Sequence, residues 1–222
     1  MRAIYFVVEG QTEQEFVHTS IRPYLFEKGI TDVRGILIET SPGHKGGFVN
    51  YAHLKKLLIR LLKEENDVLV TTFVDFYRVP NSIPDYDRCM RFDSADAKID
   101  CLNQSIWRDI HTSVDASRLE VYIQKHEFEA LLFANNKGFE YSYEASVFDL
   151  TAGIVSQFPD PEEIDDHPVT APSKRILQIM PSYDKVIDGN IIALEVGIEN
   201  ILQKCPRFRA WMNTLETKFS AP

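Results

Sequence analysis

Cysteine is scarce in this chain: Cys89, Cys101 and Cys205 are the only three in 222 residues. They are widely spaced and form no C-x-x-C pair. That argues against a zinc ribbon or a disulfide framework, and for reduced thiols in the cytoplasm. Long apolar runs are also lacking. None approaches the roughly 20 residues needed to cross a bilayer, so no membrane association is expected. The first residues carry a strand pattern and one Arg, without the long apolar segment and small-residue cleavage site of a secretory signal, so a cytoplasmic location is expected. Positive charge is in short supply: 24 Lys and Arg face 33 Asp and Glu, a formal balance of −9. This counts against a protein that coats DNA unaided, because backbone binding relies on Lys and Arg neutralising phosphates. It leaves room for a nuclease whose metal-loaded site acts while a partner or a local basic patch supplies the grip. Repeats and low-complexity tracts are missing too, and 44% hydrophobic residues with 11% aromatics suffice for a packed core.

Strand and helix signals alternate over residues 1–135, which predicts an α/β domain with a mostly parallel sheet sandwiched by helices. The strand-like runs are Ala3–Val8, Val33–Glu39, Val68–Val74 and Leu119–Gln124. Val68–Val74 is continuously apolar or β-branched, as suits a central strand buried on both faces. Thr12 and Glu15 have capping-box spacing ahead of Phe16, Val17, Ile21 and Leu25, and Tyr51–Glu64 sets five leucines on one helical face. An amphipathic helix is expected over Ser94–His111 and a short apolar one from Phe128 to Phe133. Residues 136–222 read as a helical C-terminal portion packed on the sheet domain. Its helices are expected at Ala145–Gln157, Ser173–Met180, Ile191–Leu202 and Arg207–Phe219, with Phe208 and Trp211 in the core rather than on a base-stacking platform.

Acidic residues fall where strands end. Ala3–Val8 empties into Glu9, Val68–Val74 into Asp75, and Leu119–Gln124 into His126 and Glu127. Ligands of open α/β sheets sit beyond the carboxyl ends of parallel strands. Carboxylates gathered there, without a Cys/His cluster, suit a hard cation such as magnesium and phosphate-ester chemistry. Gly10 allows a sharp turn that brings Glu13, in the first helical turn, back toward Glu9; alternatively Glu13 only complements the helix dipole. Glu127 and Glu129 are two positions apart and cannot share a helical face, and the strand end favours Glu127 over Glu129 as a ligand. Asp85 and Asp87 lie in the loop after Asp75, within reach of the site or as solvated turn residues. His126 suits proton transfer, or a capping role. Ser173, Lys174 and Arg175 follow Pro172 at a helix start, where free amides and two cations would clamp phosphate. The loop Gly43-His44-Lys45-Gly46-Gly47 lacks P-loop spacing and reads as a flexible connection.

Five segments, in order, resemble a known family: VEGQTE at Val8–Glu13, VDFYRVP at Val74–Pro80, HEFEALLF at His126–Phe133, APSKRI at Ala171–Ile176 and CPRFRAWMNTL at Cys205–Leu215. Together they resemble the bacterial domain-of-unknown-function family 4276, regarded as toprim-like and related to the toprim domain of overcoming-lysogenization-defect (OLD) nucleases. The resemblance runs nearly the whole chain. It implies a toprim-like fold, with Glu9 matching the toprim glutamate and Asp75 the first Asp of the Asp-x-Asp motif. The second Asp is replaced by Tyr77, which leaves the site one carboxylate short unless Glu13, Glu127 or Glu129 compensates.

The resulting expectation is a Mg²⁺- or Mn²⁺-dependent nuclease acting on DNA or RNA, with Glu9, Glu13, Asp75 and Glu127 on the metal. Lys174 and Arg175 would stabilise phosphate charge, and His126 would move a proton. The resemblance also implies an ATPase partner in anti-phage defence. Two other functions fit the same residues: a non-catalytic regulatory or interaction protein on a toprim scaffold, and a hydrolase of nucleotides or other small phosphate esters.

Overall fold

The computed structural model describes residues 2–41, 44–45, 48–140, 145–164 and 167–220. Strand β1 (Ala3–Val8) turns at Gly10 into α1 (Gln11–Phe16), which continues through a π-helical turn (Val17–Ile21) into α2 (Arg22–Glu27). Next come β2 (Asp32–Leu37), the antiparallel pair β3 (Glu39–Ser41) and β4 (His44–Lys45), and α3 (Tyr51–Glu64). After β5 (Val68–Asp75), α4 (Tyr86–Cys89) and α5 (Ala95–His111) lead to β6 (Leu119–Glu120) and β7 (Ile123–Gln124). The remainder is helical: α6 (Ala145–Gln157), α7 (Pro172–Ile179), α8 (Ile187–Val196), α9 (Ile198–Lys204) and α10 (Pro206–Ser220), with 3-10 turns at Phe128–Ala134, Lys137–Phe139 and Pro161–Glu163.

The main sheet has the order β2-β1-β5-β6, with β7 continuing along β5, and all its pairs are parallel. This is the expected α/β architecture. Side-chain alternation along β1 and β5 divides the interior into two cores. Ile4, Phe6, Val8, Leu69 and Phe73 face the layer made by α1, α2, the 128–134 turn and the C-terminal helices. Ala3, Tyr5, Val7, Val68, Val70 and Val74 face α3 and α5. The C-terminal portion therefore covers one face of the sheet together with α1, α2 and the 128–134 turn. Trp211 is central to that layer: its ring stacks on Tyr122 at 4.1 Å between centroids, and its indole N–H donates to Thr71 Oγ1 at 2.9 Å.

Local chemistry explains where element boundaries differ from expectation. The run Leu119–Gln124 is split because the Thr72 hydroxyl donates to the Tyr122 carbonyl at 2.7 Å and accepts the Tyr122 amide at 2.8 Å, replacing ladder bonds. The expected Thr12–Glu15 capping box does not form, since α1 starts earlier and Gly10 is its N-cap. The space at Gly10 is taken by Glu13: a Cβ there would lie 3.1 Å from Glu13 Oε2. The expected helix Ile191–Leu202 is broken at Gly197, whose φ of 80° lies in the left-handed region. Pro23, which cannot donate to the carbonyl of Thr19, accounts for the widened turn between α1 and α2. Of the Gly43–Gly47 loop, Gly43, Gly46 and Gly47 lie outside the described residues, while His44 and Lys45 form β4.

Reduced thiols were expected throughout, but Cys89 and Cys101 form a disulfide. Their spacing of 12 residues carries no signal in the sequence; packing of α4 on α5 brings the Cα atoms to 5.4 Å, within bonding range. Cys205 is a buried thiol.

Glu162 ties the start of α10 to the 3-10 turn Pro161–Glu163. Its carboxylate accepts the Arg207 amide at 2.7 Å and the Phe208 amide at 3.2 Å. Burial pushes its pKa up to about 7 against the opposing pull of the Arg207 amide, with Asp160 adding repulsion. A carboxyl group with a raised folded pKa binds more protons in the native than in the unfolded state, so its contribution to stability falls as pH rises from 4.5 to about 7. The loss is at most about 3.5 kcal/mol, at about 1.4 kcal/mol per pH unit. Urea denaturation of Glu162→Gln across this window should lack that decline; a wild-type slope in the variant would refute the assignment.

Candidate functional site

Because β1 and β5 are parallel neighbours with Val8 opposite Phe73, Glu9 and Asp75 emerge side by side at the carboxyl edge of the sheet. Glu9 Oε2 accepts the Asp75 amide at 3.3 Å, and the Glu9 carboxylate also accepts the Phe48 amide. Asp75 Oδ1 accepts the Phe128 amide at 2.9 Å, which fixes the start of the 128–134 turn directly over the strand end. Glu13 enters from the first turn of α1 and Glu129 from the 3-10 turn, and both side chains are buried.

A single ammonium binds this group together. Lys185 Nζ lies 3.4 Å from Glu13 Oε1, 3.4 Å from Asp75 Oδ2 and 3.3 Å from Glu129 Oε2, so one ammonium is within ion-pair distance of three carboxylates and donates a hydrogen bond to Asp75. The segment before α8 holds Lys185 in place: Asp184 Oδ1 accepts the Val186 and Ile187 amides at 2.9 and 2.8 Å. Asn190, one turn into α8, donates to the Thr12 carbonyl at 3.2 Å and so docks α8 on the helix that carries Glu13.

The electrostatics follow from four carboxylates and one ammonium. Burial would lower the pKa of Lys185, but Asp75, Glu129, Glu13 and Glu9 together hold it well above the ordinary lysine value. Burial pushes Asp75 well above the usual carboxylate range; Lys185 opposes this, while Glu13, Glu9 and Glu129 reinforce it. Glu9 is raised by burial and then by Glu13, and Glu129 mainly by burial. The cluster is thus short of positive charge, and hard oxygen donors with surplus negative charge are what a divalent cation takes. Among the described residues, no three His, Cys, Asp or Glu side chains are already grouped as a metal site. In this arrangement the Lys185 ammonium stands where such a cation would be drawn.

Other residues expected at the site are placed differently. Glu127 departs from the expected ligand set: its carboxylate accepts the Ser173 amide at 2.9 Å and the Ser173 hydroxyl at 3.0 Å, capping α7. The reason lies in the backbone. His126 adopts φ 63° and Glu127 is extended, so the two glutamates point apart and Glu129 is the one that reaches Lys185. The phosphate clamp expected at Ser173 is accordingly occupied by Glu127. Arg175 is engaged as well, donating to the Thr170 carbonyl at 2.7 Å and lying over the Phe158 ring at 5.1 Å. Lys174 is partly exposed in the same first turn. His126 is buried, and its carbonyl accepts the Tyr77 amide at 2.8 Å, joining the loops that follow β5 and β7. Asp85 accepts from Arg88 and Ser105, and Asp87 is exposed. Lys185 itself escaped sequence reasoning. Its only signal is the Asp184/Asp188 pair flanking a helix start, which says nothing about a position 110 residues after Asp75.

Replacing Lys185 by Met should leave the carboxylates without their counter-ion and destabilise the fold by about 2 kcal/mol near neutral pH. This is less than the roughly 3–5 kcal/mol for breaking a fully buried pair, because the lysine side chain keeps 40% of its exposure. The raised carboxyl groups bind protons preferentially in the native state, so the deficit should grow as pH rises above the carboxylate range and shrink below it. Equal losses at acid and neutral pH, in denaturant titrations, would contradict the charge-balance account.

Neither a curated protein nor a solved structure matches the chain. The family model described as Domain of unknown function (DUF4276) matches residues 8–216, and the chain belongs to that family.

Proposed function

We propose that this protein is a Mg²⁺- or Mn²⁺-dependent nuclease that hydrolyses phosphodiester bonds in DNA or RNA. The observation that carries this reading is the convergence of Glu13, Asp75 and Glu129 on Lys185 at the carboxyl edge of a parallel sheet, with Glu9 beside them on the Asp75 amide and too little positive charge to balance all four. These four would hold the cation, with Glu129 taking the place first given to Glu127. When bound, a divalent cation supplies Lewis acidity toward a phosphoryl oxygen. Lys185, partly exposed and carried by a short segment, would turn from the carboxylates toward the phosphate oxygens and neutralise charge there. Lys174 offers a second cation from α7, whose start is held by Glu127. His126, where the two loops meet, is the candidate for moving a proton. The resemblance of VEGQTE and VDFYRVP to toprim motifs of OLD nucleases supports the same reading, along with an ATPase partner in phage defence; a cytoplasmic location is part of the proposal, with the Cys89–Cys101 bond a departure from the reduced thiols expected there. No helix among the described residues is long and apolar enough to cross a membrane.

A second reading draws on a specific observation. Lys185 already sits among the carboxylates, and Tyr77 stands at the second Asp position. Both favour a non-catalytic regulatory or interaction protein whose site has been closed by an internal cation.

Metal titration separates the two. The nuclease reading expects calorimetric binding of Mn²⁺ or Mg²⁺ at millimolar concentration or below, weakened by Glu9→Gln and Asp75→Asn and strengthened by Lys185→Met. It also expects metal-dependent cleavage of labelled DNA or RNA, which each carboxylate variant reduces by about 100-fold or more. Absence of both metal binding and cleavage, with or without a partner ATPase, would overturn the nuclease reading in favour of the second. Stabilisation by free nucleotides in thermal shift would instead direct attention to small phosphate esters.

A further inference from the structure

We infer that the solvent-facing side of α3 is a track for a nucleic-acid strand, leading its phosphates away from the acidic cluster. The inference rests on the nuclease reading and adds where that substrate is gripped. His53, Lys56, Arg60 and Lys63 follow one another at intervals of three and four residues, so they lie on one face of the helix. Lys56, Arg60 and Lys63 are exposed, His53 is partly so, and His53, Lys56 and Arg60 line a shallow hollow with Leu57 and Glu39. At about 1.5 Å per residue the row is about 15 Å long, the length of about four phosphates along one strand.

Charge complementarity identifies the occupant. On a chain of net charge −9, a cation can be neutralised by a neighbouring carboxylate, and eight of the 24 lysines and arginines are so paired among the described residues. Arg2, Arg34, Arg88, Lys125, Arg207 and Lys218 each pair with a carboxylate, and Lys55, on another side of α3, pairs with Asp109 at 2.8 Å. The four residues of the row make no ion pair among the described residues. Glu39 lines the same hollow and Glu64 ends the helix, and neither forms an ion pair with the row. A row of uncompensated cations on an acidic molecule repels an acidic surface least, and binds a polyanion through release of its counterions.

Position links the row to the site. The helix begins at Tyr51, three residues after Phe48, whose amide is held by the Glu9 carboxylate. It crosses from the end of β2 to the start of β5, both parallel to β1, and so runs back from the carboxyl edge of the sheet toward its amino edge. A strand lying on α3 would therefore reach the acidic cluster at one end.

Fluorescence anisotropy with labelled single-stranded and duplex DNA and RNA, in EDTA so that nothing is cut, tests this. Wild type should bind with a salt slope of about −3 in log K against log[salt]. Lys56→Gln, Arg60→Gln and Lys63→Gln should each reduce that slope by about 1, and the triple variant should lose detectable binding at about 150 mM salt. Unchanged thermal midpoints would show these surface variants folded, and Arg91→Gln serves as a control off the helix. Glu9→Gln should bind at least as tightly as wild type while cutting nothing, which separates failure of the grip from failure of the chemistry. The inference is overturned if the triple variant binds as wild type does. It is equally overturned if wild type binds no nucleic acid and the row instead retains anionic vesicles or an acidic protein.

Discussion

Three buried carboxylates and the half-buried Glu9 cannot all stay ionised side by side without a cation, and Lys185 is the ammonium placed among them. Removing a carboxylate from water is costly, and crowding several raises the cost of ionising each. The upward shifts of Glu9, Asp75 and Glu129 express that cost, and the very stable charge on Lys185 is its counterpart. Both functional readings derive from this imbalance. A divalent cation would relieve it more completely than an ammonium, and in its absence the lysine is what allows the site to be assembled.

The sheet creates this crowding. Parallel order places β1 beside β5 and β7 beyond it, so three chain segments leave the same edge in adjacent positions. Backbone amides then orient what arrives. The Asp75 amide holds Glu9, while Asp75 in turn holds the Phe128 amide and with it the turn that carries Glu129. Positive φ values at Arg78 and His126, in the loops after β5 and β7, show where the backbone leaves its comfortable regions to bring these segments together.

Much of this was legible in the sequence, for stated reasons. Ala3–Val8 and Val68–Asp75 lack polar interruptions apart from two threonines, the mark of strands covered on both faces, and the acids that end them were read from that alone. The choice between Glu127 and Glu129 was not legible, because it turns on the left-handed backbone of His126, which no periodicity encodes. Lys185 was hidden by distance along the chain, in a stretch between proline-rich and helical segments. The Cys89–Cys101 bond was hidden similarly, since its twelve-residue spacing is shared by countless unpaired cysteines. What periodicity and punctuation encode is local, and what they missed are contacts made only after helices dock.

That docking makes the C-terminal portion part of the site as well as part of the core. Trp211, Phe208 and Ile192 fill the face of the sheet opposite α3 and α5. Lys185 balances the acids, and the α7 amide at Ser173 satisfies Glu127, which would otherwise add another uncompensated charge beside Glu129. A sheet domain ending near residue 135 would expose a hydrophobic face and leave its acidic edge unbalanced. Hydrophobic burial and charge balance thus require the same 80-odd residues, and assembly of the acidic cluster is coupled to the docking of the C-terminal portion on the sheet.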